Sequence, residues 1–136
     1  MEISGGVDDV GPRTRAFAID ADSERGQPQV AEQAAALLSE AGDDPVVVAV
    51  CERILALDRV RAGLTEDARG HIARAIRAAD STDPETRGRV HLTAMSVAAS
   101  TGETDEALRH ADAAMPLLSG ERRIRLDIQR ASVLHA

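Results

Sequence analysis

The amino-acid sequence predicts an all-α protein of about seven helices, arranged as antiparallel hairpins stacked side by side. Three observations support this fold. One stretch of sequence recurs 39 residues further along the chain, alanine dominates the apolar residues, and Gly, Pro and Asp divide the chain into segments of helix length. Repetition with a period of roughly 20–50 residues is typical of proteins whose units pack mainly on their neighbours.

The recurring stretch has the same character in both copies. Gly63-Leu-Thr-Glu-Asp-Ala68 is repeated as Gly102-Glu-Thr-Asp-Glu-Ala107. Beyond these two ranges the match continues at His71 and His110, and at Ala75 and Ala114. The two copies are therefore expected to occupy equivalent places in consecutive units of one domain.

The composition favours helices. Of the 136 residues, 43% are hydrophobic and 29% are charged, as in a globular domain. Phe17 is the only Phe, Trp or Tyr of the chain. Alanine is the strongest helix former and contributes little to a β-sheet. Its small side chain also lets helices approach closely, which suits a stack of hairpins.

Turn and cap residues predict where the helices begin and end. Residues 1–11 carry three glycines and are expected to form a disordered lead-in. Helices are then expected at Pro12–Glu24, from Pro28 to about Ala41, from Pro45 to Gly63, after Thr65 as a cap, from Pro84 to Gly102, after Thr104 as a cap, and from Glu121 to the end. The repeat domain at 12–136 consists of units at about 12–43, 44–82 and 83–120 and a terminal helix at 121–136. Because the loops are short, consecutive helices are expected to pack as antiparallel hairpins.

The segment Val46–Val50 is the one place where a strand competes with a helix, because branched side chains favour sheets. The sequence continues through Glu52–Leu57 without a turn residue. A helix is therefore the preferred prediction for this segment.

These features resemble tetratricopeptide (TPR) repeats, whose unit is a helical hairpin with Gly-x-x-x-x-Ala at its turn and small residues where the helices cross. The turn pattern stands at Gly63–Ala68 and Gly102–Ala107, with a fainter copy at Gly26–Ala31. The small positions are Ala56 and Ser132 on first helices, and Ala75 and Ala114 on second helices. The resemblance covers residues 12–136 and implies a right-handed, TPR-like α-solenoid.

The chain departs from the family pattern in three ways. Its unit is 37–39 residues long, whereas the family's is about 34. Ile19 and Met95 occupy the small position of the first helix, so the crossing there is expected to be wider or shifted in register. Pro116 lies inside the last second helix and is expected to kink or shorten it, because proline removes a backbone hydrogen bond.

The final stretch, Arg123–His135, is similar to the first helix of repeats in actinobacterial proteins that join TPR arrays to a caspase-like CHAT protease domain. This similarity implies that the chain is the N-terminal part of a longer protein and that the protease lies outside it. The alternative is that the last helix is a cap, which covers the exposed apolar face of a stack.

Charge and composition exclude several classes of partner. The net charge is −7, whereas nucleic-acid binding needs clustered positive charge and aromatic residues for stacking. The longest apolar run, Val46–Cys51, is too short to cross a bilayer, and the N-terminus lacks the regions of a signal peptide. We therefore expect no nucleic-acid partner, no membrane partner and a cytoplasmic location.

No residues combine into a catalytic, cofactor or metal site. Cys51 lies in an apolar run without a base beside it and is expected to be a small buried hydrophobe. His71 and His110 are expected to be displaced along the stack, and no two histidines have the i, i+4 spacing of a helix-borne zinc site. We therefore expect no enzyme activity, no cofactor and no metal.

The remaining candidate site is the groove formed by the first helices of the stacked hairpins. Transferred by position from the family, the candidate partner-binding residues are Arg13, Asp20, Arg53, Leu57, Arg61, Arg89, Leu92, Ser96 and Gln129. Four arginines in a chain of net charge −7 could form a positive strip that takes the carboxylates of an acidic peptide or of a C-terminus. The alternative is that they are ordinary surface arginines whose stems cover apolar neighbours.

The sequence therefore predicts a scaffold for protein–protein interaction, a repeat module that binds a peptide or partner protein within a larger regulatory or effector protein. The alternative function is structural: a self-associating domain whose exposed terminal helix face packs on another copy. A compact helical bundle with a small-molecule pocket is a third possibility.

Overall fold

The computed structural model of the chain describes residues 11–134, and these residues form helices joined by short turns. The α-helices, labelled in chain order, are α1 (Pro12–Glu24), α2 (Val30–Ala41), α3 (Pro45–Arg61), α4 (Thr65–Ala79), α5 (Pro84–Ser100), α6 (Thr104–Ala114) and α7 (Gly120–Leu134). A 3-10 turn at Met115–Leu117 follows α6. The all-α prediction is confirmed for this part of the chain. Residues 1–10 of the expected lead-in lie outside it.

Asp followed by Pro begins two helices, as the sequence predicts. Oδ1 of Asp44 accepts a hydrogen bond from the backbone N–H of Val46 at 3.0 Å, and Oδ2 of Asp83 accepts one from that of Thr86 at 3.1 Å. Each carboxylate satisfies an N–H at a helix N-terminus, and the proline that follows it has no N–H to satisfy. Helix α3 includes Val46–Val50, so the prediction of a helix for that segment is confirmed.

Three hairpin turns share one backbone conformation. The φ angles are +75° at Gly26, +78° at Gly63 and +78° at Gly102. Glycine adopts such angles without the steric penalty of a side chain, which explains why the fainter third copy of the pattern forms the same turn. After each glycine, the next residue donates its N–H to the carbonyl five residues before it: Gln27 to Asp22 at 3.1 Å, Leu64 to Arg59 at 2.8 Å, and Glu103 to Ala98 at 2.9 Å.

Four expected helix starts are shifted, and one of them is that of α7, which was expected from Glu121 and begins at Gly120. Thr65 and Thr104 are not caps but the first residues of their helices, and neither helix start has a side-chain cap. The cap position is the residue before each threonine. Before Thr65 it is Leu64, whose carbonyl already accepts the first helical hydrogen bond, from the N–H of Ala68. The helix expected from Pro28 begins at Val30.

Pro116 shortens the helix before it, as expected, and does not itself lie inside that helix. Helix α6 ends at Ala114, and Pro116 lies in the 3-10 turn that follows, because its ring nitrogen has no N–H for the carbonyl of Asp112. The chain then places Leu118 in the core at 3% exposure. A Cβ atom at Gly88 would lie 2.7 Å from Cδ2 of Leu118, so this contact needs a glycine in α5.

The buried apolar residues form three clusters that follow the order of the chain. The first is formed by α1, α2 and α3, the second by α3, α4 and α5, and the third by α5, α6 and α7. Helices α3 and α5 each contribute different residues to two clusters. Consecutive helices contact each other, and α3 also contacts both α1 and α5. The core is therefore divided along the chain.

Three of the four small residues that were predicted at helix crossings are buried. Ala56, Ala75 and Ala114 are each 0% exposed. Met95, which replaces a small residue, is also buried, at 1% exposure. Ser132 is exposed, because within residues 11–134 no helix follows α7 and packs against it.

Candidate functional site

Charged side chains join the odd-numbered helices. Near the start of both helices, Nε of Arg13 in α1 lies 2.9 Å from Oδ2 of Asp44, the cap of α3. Further along both helices, Asp20 of α1 is paired with Arg53 of α3. The second contact lies further along both helices than the first, so α1 and α3 run in the same direction.

At the centre of this surface, Asp20 is paired with two arginines. The residue is 3% exposed, and its two carboxylate oxygens contact Arg53 and Arg89 respectively. Arg53, which is 7% exposed, also donates to Oγ1 of Thr93 at 3.1 Å. The Asp20 carboxylate therefore joins α1 to both α3 and α5. Asp20 and Arg53 are buried, and the side chain of Arg89 is 14% exposed. Such charges are stable in a protein interior only when they remain paired.

Glu24, the last residue of α1, extends the network to α7. Its Oε2 accepts hydrogen bonds from Nη2 of Arg89 at 2.9 Å and from Nη1 of Arg122 at 3.3 Å. Arg122 also donates from Nε to Glu85 at 2.8 Å. The side chain of Glu24 is 44% exposed, compared with 4% for Asp20. Glu24 therefore contacts the arginines from the solvent side.

The network pairs three arginines with three acids, and Arg61 adds a further positive charge beside it. Burial, followed by the positive charges of Arg89, Arg122 and Arg61, lowers the pKa of Arg53 to about 9, which still leaves it protonated at neutral pH. Burial also lowers the pKa of Arg89, although nearby glutamates oppose this change. A further anion beside these guanidinium groups would reduce their mutual repulsion.

Beside the network lies a groove of about 250 Å³, which we call the arginine groove. Its charged lining consists of five arginines and the single acid Glu24. Seven of the nine candidate residues border it: Arg53, Leu57, Arg61, Arg89, Leu92, Ser96 and Gln129. The structure adds Ser23, Glu24, Thr93, Arg122 and Arg125 to this lining.

The other two candidate residues do not line the arginine groove. Arg13 is exposed, and its hydrogen bond with Asp44 is the main reason that the pKa of Arg13 is raised and that of Asp44 is lowered. Asp20 contacts the groove residues Arg53 and Arg89, but its own carboxylate is buried. Asp20 therefore positions arginines, and Arg13 takes part in a separate surface pair.

A second depression, which we call the α5–α7 cleft, has a volume of about 400 Å³. Ser96 and Gln129 border both it and the arginine groove, so the two are continuous. Its apolar lining is Met95, Ala99 and Val133. Its remaining lining residues, Ser100, Thr104 and Ser132, carry hydroxyl groups.

The two helices beside the cleft also run in the same direction. Glu85 and Arg122, near their starts, are 2.8 Å apart between Oε2 and Nε, whereas Ser96 and Gln129 face the same space further along. The buried Oε1 atom of Gln129 has no hydrogen-bond donor within residues 11–134. A carbonyl oxygen in that state needs a donor from water or from a ligand.

Two side-chain pairs occupy equivalent places in two pairs of contacting helices, α3–α4 and α5–α6. Oε1 of Glu52 in α3 lies 2.6 Å from Nδ1 of His71 in α4. Nδ1 of His91 in α5 lies 3.1 Å from Nδ1 of His110 in α6. The second pair is displaced from the first by 39 residues in both helices. The contact between His91 and His110 was not predicted, because contacts across a hairpin depend on the register of its helices.

The thiol of Cys51, the potential metal ligands and the lengths of the helices bear on other kinds of function. Burial, with a smaller effect of Glu52, raises the pKa of the Cys51 thiol to about 12, so no reactive thiolate forms at neutral pH. Within residues 11–134, no three His, Cys, Asp or Glu side chains are grouped so as to hold a metal ion. Each helix in that range is too short or too polar to cross a membrane.

The outer face of α7 carries exposed apolar side chains. Ile124 and Ile128 are 62% and 66% exposed and lie one helical turn apart. Leu134 is 53% exposed and lies about 80–120° around the helix from them. On the opposite face, Leu126 is 0% exposed in the third core cluster. Helix α7 therefore has apolar residues on two faces but packs through only one of them.

Comparisons with protein-family models, curated proteins and solved structures find no match to this chain. Function is therefore inferred from the geometry of the site itself. The sequence prediction missed Arg122 and Arg125 as groove residues. Successive spacings of three and four residues lead from Arg122 through Arg125 to Gln129, a signal that could have placed both arginines on the same helix face as that predicted residue. Glu24 had no such signal, because its partners come from distant helices.

Proposed function

We propose that the chain is a protein–protein interaction module, a right-handed, TPR-like stack of helical hairpins that binds an acidic peptide or an acidic segment of a partner protein. The arginine groove is the binding surface. As the resemblance to CHAT-associated repeats implies, the module would recruit a partner to a larger regulatory or effector protein. The main observation behind the proposal is a groove with five arginines and one acid in a chain of net charge −7.

Repeated local geometry supports a stack. The turns at Gly26, Gly63 and Gly102 have nearly the same φ angle, and the Glu52–His71 contact has its counterpart 39 residues later. Each core cluster is shared by three consecutive helices. Repeat proteins have this organisation, because each unit contacts mainly the units beside it.

The state of the groove arginines supports an acidic partner. Arg61 and Arg125 are exposed, and neither forms an ion pair within residues 11–134. A guanidinium group presents a planar fork of donors that matches a carboxylate. Leu57 and Leu92 lie beside these arginines in the groove and offer apolar contact to the rest of a bound peptide.

The proposal is tested by fluorescence anisotropy with a labelled glutamate-rich peptide blocked at both ends. The full chain should bind it, and added salt should weaken binding because exposed charge pairs are screened. The double variant Arg61→Ala/Arg125→Ala should bind about tenfold more weakly, which corresponds to roughly 1.4 kcal/mol. The matched control is Arg77→Ala/Arg123→Ala, which removes two exposed arginines outside the groove. Absence of saturable binding, or equal weakening in both variants, would contradict the proposal.

A second candidate function is self-association through the outer face of α7. The observation that favours it is the exposure of Ile124, Ile128 and Leu134, because exposed apolar patches commonly mark interfaces. Light scattering should then show a concentration-dependent dimer that Ile124→Glu/Ile128→Glu abolishes. A monomer at all concentrations would exclude this function and leave the groove as the binding surface.

A further inference from the structure

We propose that the arginine groove and the α5–α7 cleft form one docking surface for an extended peptide segment with two anchors. A Glu or Asp side chain of the segment displaces Glu24 from Arg89 and Arg122, and an apolar side chain about three residues away enters the cleft. This inference rests on the proposed function and specifies the chemistry of the partner.

Glu24 already shows which group the groove accepts. Its side-chain carboxylate contacts Arg89 and Arg122 at 2.9 and 3.3 Å, but 44% of the side chain is exposed. The arginines would not lose all their acids with it, because Arg89 keeps Asp20 and Arg122 keeps Glu85. An incoming side-chain carboxylate can therefore replace Glu24 without leaving either guanidinium group unpaired. Glu24 acts as an internal competitor that weakens binding.

The second anchor follows from the continuity of the two depressions. Ser96 and Gln129 border both of them, so a chain seated on the arginines can pass directly into the cleft. Met95, Ala99 and Val133 give the cleft an apolar side. Its volume of about 400 Å³ is within the range of ligand pockets. The cleft therefore suits an apolar side chain.

The spacing of the anchors is set by helix geometry. Arg89 and Ser96 are seven residues apart in α5, as are Arg122 and Gln129 in α7. At 1.5 Å per residue, this separation is about 10 Å along the helix axis. An extended chain advances about 3.3 Å per residue. The acidic and apolar residues of the partner are therefore expected about three positions apart.

The lining of the cleft favours a peptide, because it can form hydrogen bonds with a peptide backbone as well as contact an apolar side chain. Oε1 of Gln129 has no donor within residues 11–134, and rotation of its amide would let it accept a peptide N–H. The hydroxyl groups of Ser96, Ser100 and Ser132 stand along the same path. A small inorganic anion held by the arginines would not reach Ser100 or Ser132, which line only the cleft.

Three blocked peptides test the two anchors. The first has a Glu and a Leu three positions apart in a Gly/Ser background, the second replaces Leu by Ser, and the third replaces Glu by Gln. Binding of the full chain is measured by fluorescence anisotropy. Each replacement should weaken binding about fivefold, or roughly 1 kcal/mol. If the second peptide binds as tightly as the first, the cleft anchor is absent and the inference is wrong.

Two matched pairs of variants test the roles of the protein's own residues. Glu24→Gln should bind the first peptide about fivefold more tightly than the wild type, whereas Glu32→Gln, which removes an exposed acid from α2, should not. Ser132→Phe should fill the cleft and remove the preference for the peptide with Leu. Ala131→Phe places the same side chain on the neighbouring exposed position outside the cleft and should keep that preference.

The outcomes separate this inference from the proposed function. If neither the peptides nor a glutamate-rich peptide bind, the proposed function itself is wrong. If acidic peptides bind but Leu and Ser132→Phe have no effect, the proposed function stands and the two-anchor surface is overturned. Equal affinities of Glu24→Gln and Glu32→Gln would overturn the role of Glu24 as a competitor.

Discussion

Asp20 and Glu24 lie one turn apart on α1 and contact the same arginine, Arg89. Their side chains differ in exposure, at 4% and 44%. When a buried carboxylate is removed, its arginine partners stay charged without an acid or water beside them. When an exposed carboxylate moves away, water takes its place. At the scale of single residues, Asp20 therefore holds the fold together, while Glu24 is available for exchange.

The first prediction concerns Asp20. The substitution Asp20→Ala leaves the buried Arg53 and the half-buried Arg89 beside each other without their shared acid, so we expect it to lower the free energy of unfolding by about 3–5 kcal/mol. Asp22→Ala, which removes the surface partner of Arg25 in the same helix, should cost no more than about 1 kcal/mol. Urea denaturation measures both values. Equal effects would show that the Asp20 pair is no more important than a surface pair.

The second prediction concerns the pH dependence of stability. Burial lowers the pKa of both His91 and His110, so the folded state resists protons that the unfolded histidines accept near pH 6.5. The free energy of unfolding should therefore be highest above about pH 6.5 and fall as the pH drops to about 5. The charged groups that act on the pair are Asp80, Arg87, Glu106 and Arg109.

Replacing one histidine provides the control for this pH effect. In His110→Gln, the loss of stability between about pH 7 and pH 5 should be smaller than in the wild type, because one of the two shifted groups is absent. An identical loss would mean that other groups cause the pH dependence.

At the scale of single residues, the sequence predicted positions better than pairings. Arg53 and Arg89 were predicted on the groove, and they border it. That Arg53 is buried and paired with Asp20 could not be predicted, because the two residues belong to helices whose relative register is set by packing. Glu52 could have been noticed as a charge within an apolar helix, but nothing in the sequence pointed to His71 as its partner.

At the scale of elements, local chemistry decides the boundaries. Asp caps, helix-starting prolines and glycines of positive φ act within a few residues of their own position, so these boundaries follow from the sequence. The positions of Thr65 and Thr104 were missed by one residue. In both hairpins the turn after glycine continues directly into the next helix, which leaves no separate place for a threonine cap.

The third prediction compares two glycines within helices. At Gly70 an added Cβ meets nothing nearer than a side-chain nitrogen of Arg74 at 3.8 Å, whereas at Gly88 it lies 2.7 Å from Leu118. Gly70→Ala should raise the free energy of unfolding by about 0.5–1 kcal/mol, because glycine weakens helix interiors. Gly88→Ala should lower it, since overpacking typically costs about 1–3 kcal/mol. Thermal unfolding of both variants measures the difference, and stabilisation by Gly88→Ala would contradict the packing of Leu118 on α5.

At the scale of the whole molecule, average charge hides the local distribution. The chain has a net charge of −7, yet five arginines meet in one groove. They come from α3, α5 and α7, so only the side-by-side arrangement of these helices concentrates them. The repeat in the sequence predicted packed helical hairpins, and their arrangement as a solenoid stays a prediction. The α5–α7 cleft was not predicted, because it depends on how far α7 stands from α5.

The measurement that tests the binding surface most directly is heteronuclear NMR of the arginine Nε–H groups during titration with the peptide that carries both Glu and Leu. Binding in the arginine groove should shift the signals of Arg53, Arg89 and Arg122 together, because they share one network. The signals of Arg15 and Arg77, which lie outside the groove, should stay unchanged. Shifts confined to arginines outside the groove, or no shifts at a saturating peptide concentration, would contradict the assignment of this groove as the binding surface.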